Sequence, residues 1–136
     1  MTYKNEKPYD ITPDERRLLS GIRRRPAMYL GENSFNAFIG FVYGYSTALD
    51  NTDITPEMHN ILPWGMGMHE FAAEKYLGGI ENMGLCGWMS SIQSHQPDDK
   101  KALAEFFVFL DEYLIANGFE PIPDWDTTYK NNPKGE

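Results

Sequence analysis

The segment from Pro97 to Gly118 constrains this chain more than any other. Leu103, Phe106, Phe107, Leu110 and Leu114 recur at helical spacing and form one apolar stripe. Pro97-Asp98-Asp99 opens the helix, because acidic residues suit its positive N-terminal end. Asn117-Gly118 closes it, since such residues readily adopt the left-handed conformation that ends helices. A helix with this stripe must bury it against other elements, and the rest of the chain has to supply them.

The other segments read mostly as helices too. Thr12-Pro13-Asp14-Glu15 is a helix start, with Thr12 as cap and Pro13 in the first turn. This helix runs through Leu18, Leu19 and Ile22 and ends near Arg25, because Pro26 disfavours helical geometry before it. Ala27 to Gly31 reads as a short extended piece or turn. Asn33 or Ser34 caps a second helix reaching about Asp50, with Phe35, Phe38, Ile39, Val42, Ser46 and Leu49 along one side. Ala37, Gly40, Gly44 and Ala48 form a small-residue stripe on the same helix. Glycine costs about 1 kcal/mol relative to alanine inside a helix, so this stripe predicts the close approach of another helix or backbone.

Asn51 to Trp64 reads as a loop holding one short helical turn at Glu57–Ile61. Met66 to Leu77 and Leu85 to Ser94 are two further helices. The fold class expected is mainly α: a single-domain bundle of about five helices with little or no sheet. The domain spans residues 1–136, with a flexible N-terminal arm (1–11) and a C-terminal tail (119–136) that begins as a packed strap.

Composition agrees with this. A chain of 136 residues with 41% hydrophobic and 14% aromatic side chains can fill one core. Cys86 is the lone cysteine, so no disulfide framework exists and a reducing compartment, the cytoplasm, is expected. The polar first residues and the shortness of the apolar run from Phe35 to Leu49 imply neither a secretory signal nor a membrane span.

Charge is uneven. All five arginines lie between positions 16 and 25, on a chain whose net charge is −8. An acidic surface repels phosphate backbones, which disfavours nucleic-acid binding, and steers a basic partner toward the protein. Acidity also serves solubility by itself.

No catalytic constellation stands out. His69-Glu70 lacks the second histidine of the zinc-protease pattern, because residue 73 is Ala73. His59 and His95 stand alone in sequence, so no metal or cofactor is expected. Cys86 sits among Leu85, Gly87, Trp88 and Met89, which reads as a packing thiol; a thiol or metal enzyme built on Cys86 and the histidines is the third-ranked reading.

The most distinctive stretch is Gly21 to Gly31. Arg23, Arg25, Pro26, Met28, Tyr29 and Gly31 resemble the R-x-R-P-x-M-Y-x-G segment of gyrase B type ATPase domains. The acid-and-asparagine helix and the D-x-G-x-G loop of that family are not in this chain. A broader pattern spans roughly residues 16 to 115: Arg25 to Gly31, Phe38 to Tyr45, His69 to Tyr76, Gly87-Trp88, and Phe106 to Tyr113. It resembles small bacterial immunity proteins of polymorphic or contact-dependent toxin systems. That resemblance implies a cytoplasmic, non-catalytic protein that neutralises a cognate secreted toxin, a basic nuclease among the candidates, by direct binding.

On that reading the partner-binding candidates are Glu74, Asp111, Glu112, Asp124, Trp125 and Asp126, as exposed acids with an aromatic anchor. The alternative is a small nucleotide- or phosphate-binding protein using Arg23, Arg24 and Arg25. The many aromatics also leave room for a homo-oligomer face.

Overall fold

The computed structural model describes residues 8–63, 66–84 and 87–124. Its elements in chain order are α1 (Pro13–Arg24), α2 (Pro26–Leu30), α3 (Phe35–Asp50), α4 (Met66–Tyr76), a 3-10 turn (Ile80–Asn82), α5 (Trp88–Ser94) and α6 (Asp99–Ala116). Among the described residues there is no strand. The expected mainly α class is what is observed, with α2 as the additional helix.

The caps explain the boundaries. The Asp98 side chain accepts the Lys101 N–H at 2.8 Å and starts α6. At the other end Gly118 takes φ +84, a left-handed conformation that glycine adopts without steric cost. Its N–H bonds the Ile115 carbonyl, and the Phe119 N–H bonds that of Leu114, which closes the helix as a Schellman motif. Ser34 caps α3 by accepting the Ala37 N–H at 3.0 Å, and its own hydroxyl donates to Asp99. The start of α3 is thereby tied to the start of α6.

Three local expectations need correction. The residues after Pro26 form α2 rather than an extended piece, because a proline that ends one helix is well suited to the first position of the next. Thr12 occupies the cap position of α1 but makes no capping bond; its hydroxyl donates to Glu15 instead. The turn expected at Glu57–Ile61 is centred two residues earlier, where the Met58 and His59 N–H groups both bond the Thr55 carbonyl.

The core is built around α6. Its Phe106, Phe109, Leu110 and Leu114 are fully buried, with Leu103, Phe107 and Tyr113 nearly so. Phe35, Phe38 and Val42 of α3 pack on one side, and the Phe38 and Phe106 rings lie 4.7 Å apart. Trp88 of α5 stacks on Phe109 at 5.9 Å. Leu19 and Ile22 of α1, and Met68, Ala72 and Ala73 of α4, complete the enclosure. Phe109 lies off the stripe read from sequence, so α6 buries a broader face than that stripe required.

Both flanking segments are anchored. Ile11, at the end of the expected arm, is buried in the core. So is Ile122 of the expected tail, whose strap lies against α1 and α6.

Candidate functional site

The arginine cluster divides by direction. Arg16 bonds Asp10 at 2.7 Å and the carbonyls of Ile11 and Pro121, joining the two flanking segments. Arg17 pairs with Asp14 on the surface. Arg23 pairs with Asp111 at 2.8 Å, bonds the Ile122 carbonyl, and lies over the Phe107 ring at 5.4 Å. Arg24 and Arg25 are exposed and carry no ion pair among the described residues.

That division relocates the acidic candidates. Asp111 faces inward: one oxygen meets Arg23 and the other accepts the Ile122 N–H at 2.7 Å. Glu112 is exposed but bonds Lys75, which also meets Glu105 at 3.5 Å. Burial pushes the Lys75 ammonium down, but the two glutamates outweigh it and hold the group above its ordinary value. Asp124 stands exposed at the rim of a cleft shared with Arg24 and Lys100. Trp125 and Asp126 lie outside the described residues, as does Cys86.

Glu74 lies on the exposed side of α4 beside a hollow of 350 Å³ lined by Gly67, Glu70, Phe71 and Ile80. Glu70 is half-buried and Ile80 is 40% exposed. Neither glutamate has an ion-pair partner among the described residues. The hollow therefore has an apolar floor and an acidic rim. Glu70 and Ile80 are not among the candidates read from the sequence, because nothing local shows that the turn after α4 brings Ile80 back beside Glu70.

A second feature that the sequence did not reveal is a buried carboxylate. Glu15 is 1% exposed. It accepts hydrogen bonds from the Thr12 hydroxyl, the Tyr45 hydroxyl and Nδ1 of His59, the last at 2.7 Å. Burial first, and then the Glu15 bond, push the Tyr45 phenol up to about 12. The partners come from α3 and from the following loop, so α1, α3 and that loop meet at one group.

The histidines occupy three separate environments. His59 is held by Glu15. His69 accepts the Trp88 N–H through Nδ1 at 3.2 Å, and burial lowers its basicity below the ordinary value. His95 bonds the Ser91 carbonyl and lies against Tyr76. Among the described residues no group of three or more His, Cys, Asp or Glu side chains is placed to hold a metal ion.

No helix among the described residues is long and apolar enough to cross a membrane. Comparison with protein-family models, curated proteins and solved structures finds no match.

Proposed function

We propose that this chain is a cytoplasmic, non-catalytic immunity protein that neutralises a cognate secreted bacterial toxin by direct binding. The observation that carries the reading is the α4 hollow, where Glu70 and Glu74 rim an apolar floor of Phe71 and Ile80. Such a surface is complementary to arginine or lysine side chains flanked by apolar ones, with the charges giving specificity and the floor giving contact area. The net charge of −8 draws a basic partner toward it. The family resemblance of residues 16 to 115 supports the same reading.

The surface differs from the one expected at the outset. Glu74 and Glu70 belong to it, whereas Asp111 is committed to Arg23 and Glu112 to Lys75. Asp124 lies in a different cleft.

The test is capture of the tagged full-length chain from its host, followed by co-expression with the toxin domain recovered. Wild type is expected to restore growth, and the Glu70→Lys/Glu74→Lys double variant to lose protection while keeping its melting temperature. Retained protection in that variant would remove the α4 surface. Capture of no toxin, under conditions in which the host expresses its secreted toxins, would remove the immunity reading itself.

A further inference from the structure

We propose that the cleft between the C-terminal end of α1 and α6 binds a small ligand carrying a phosphate monoester, with Arg24 and Lys100 holding the phosphate. This site does not rest on the toxin-binding reading. The cleft has a volume of 480 Å³, within the range typical of small-molecule pockets. Asn33, Arg24 and Lys100 supply polar groups around it, and Leu103, Phe107 and Val108 supply an apolar wall. Val108 is 41% exposed on the side of α6 that faces the cleft.

The argument is one of unmatched charge. Arg16, Arg17, Arg23 and Lys75 all have carboxylate partners. Among the described residues Arg24, Arg25, Lys100 and Lys101 have no carboxylate partner, and of these Arg24 and Lys100, from two different helices, share one cleft. The carboxylate nearest Lys100 in sequence is Asp99, which is turned away to the Ser34 hydroxyl and the Asn36 N–H. Arg23 reaches the cleft wall but its charge is matched by Asp111.

Two cations and an amide suit a phosphate monoester, which carries nearly two negative charges at neutral pH and offers three acceptor oxygens. The guanidinium gives paired donors and the ammonium a point charge, which is the usual division of work at phosphates. The apolar wall calls for a compact, flat body attached to that phosphate. Asp124 on the same rim is the one opposing charge.

The experiment uses the full chain in a nitrogen-15 NMR titration, with inorganic phosphate, adenosine monophosphate and adenosine as probes at matched ionic strength. Both phosphate probes, taken to about 10 mM, are expected to shift the amides of Arg24, Asn33, Lys100 and Val108. Adenosine alone is expected to leave them in place. Arg24→Gln and Lys100→Gln should each weaken the monophosphate about tenfold, because each removes one charge-assisted bond. Asp124→Asn should strengthen it. Both cations are exposed, so the remaining spectrum of each glutamine variant should be unchanged. Absence of the shifts, equal binding of adenosine, or binding unaltered by both glutamine variants would overturn the proposal.

Discussion

Arg23 of α1 and Asp111 of α6 meet at 2.8 Å, and through them the two helices hold the strap that follows α6. Arg23 bonds the Ile122 carbonyl while Asp111 accepts the Ile122 N–H, so both polar groups of a buried residue are satisfied. A buried backbone group without a partner is costly, which makes this pair a condition for burying Ile122 at all.

Replacing Asp111 by Ala should therefore cost about 2–3 kcal/mol, more than an exposed ion pair contributes. The pair is only about one-fifth exposed on each side, so screening by salt is limited. Urea unfolding of Asp111→Ala, Arg23→Met and the double variant checks this. The singles should be strongly non-additive, and additive losses would show that the pair does not act as a unit.

Gly40 and Gly44 carry the opposite expectation. The small-residue stripe called for a close neighbour, but a Cβ at either position would meet nothing within 4 Å, and neither glycine has positive φ. The spacing argument fails because this side of α3 faces outward, so nothing within the described chain uses the room. Gly40→Ala and Gly44→Ala should each stabilise the fold by about 0.5–1 kcal/mol, through helix propensity and a less flexible unfolded chain. Thermal unfolding of the two variants is the measurement. A fall in melting temperature would mean that something outside the described residues packs on this side.

The elements that were legible in the sequence are those whose signals are local. The α6 stripe and the Asp98 and Gly118 termini lie within one segment, and so do Ser34 and the apolar side of α3. Pro26 was read as a stop and not as the start of α2, since the same fixed φ serves both roles. The site was less legible because a carboxylate's role is set by distant partners. Asp14 and Glu15 look alike as first-turn acids, yet Glu15 is buried by groups 30 and 44 residues away. Asp111 and Glu112 are adjacent, yet they serve different helices. Spacing identifies faces of a helix, but which face meets which neighbour is decided by the packing.

Glu15 should be among the most sensitive positions in the chain. Removing it leaves the Tyr45 hydroxyl, His59 and Thr12 without their shared acceptor, at a cost of about 3 kcal/mol or more for Glu15→Ala. Glu15→Gln keeps the shape and one acceptor oxygen, so it should cost less. The same cluster sets an alkaline limit. The Tyr45 phenol is raised from 10.0 to about 12, so the unfolded chain releases this proton first and stability falls as pH rises from 10 towards 12. Tyr45→Phe should flatten that part of the stability–pH curve; an unchanged slope would exclude Tyr45 as its source.

His69 sets the corresponding acid limit. Its Nδ1 accepts the Trp88 N–H at 3.2 Å, a role that only the neutral ring can fill. Burial lowers the folded-state value below the ordinary 6.5. The ring packs against Gly87, where a Cβ would come within 2.8 Å of it, so it has little room to turn away. Well above pH 6.5 the ring is neutral in both states and contributes no pH dependence. As pH falls below 6.5 the unfolded chain takes up the proton first, and stability declines until the folded-state value is passed. His69→Asn offers an oxygen to the Trp88 N–H without a titrating ring. Chemical unfolding at a series of pH values from neutral downward should show wild type losing stability faster than this variant below pH 6.5. Parallel curves would mean that His69 is not the group responsible.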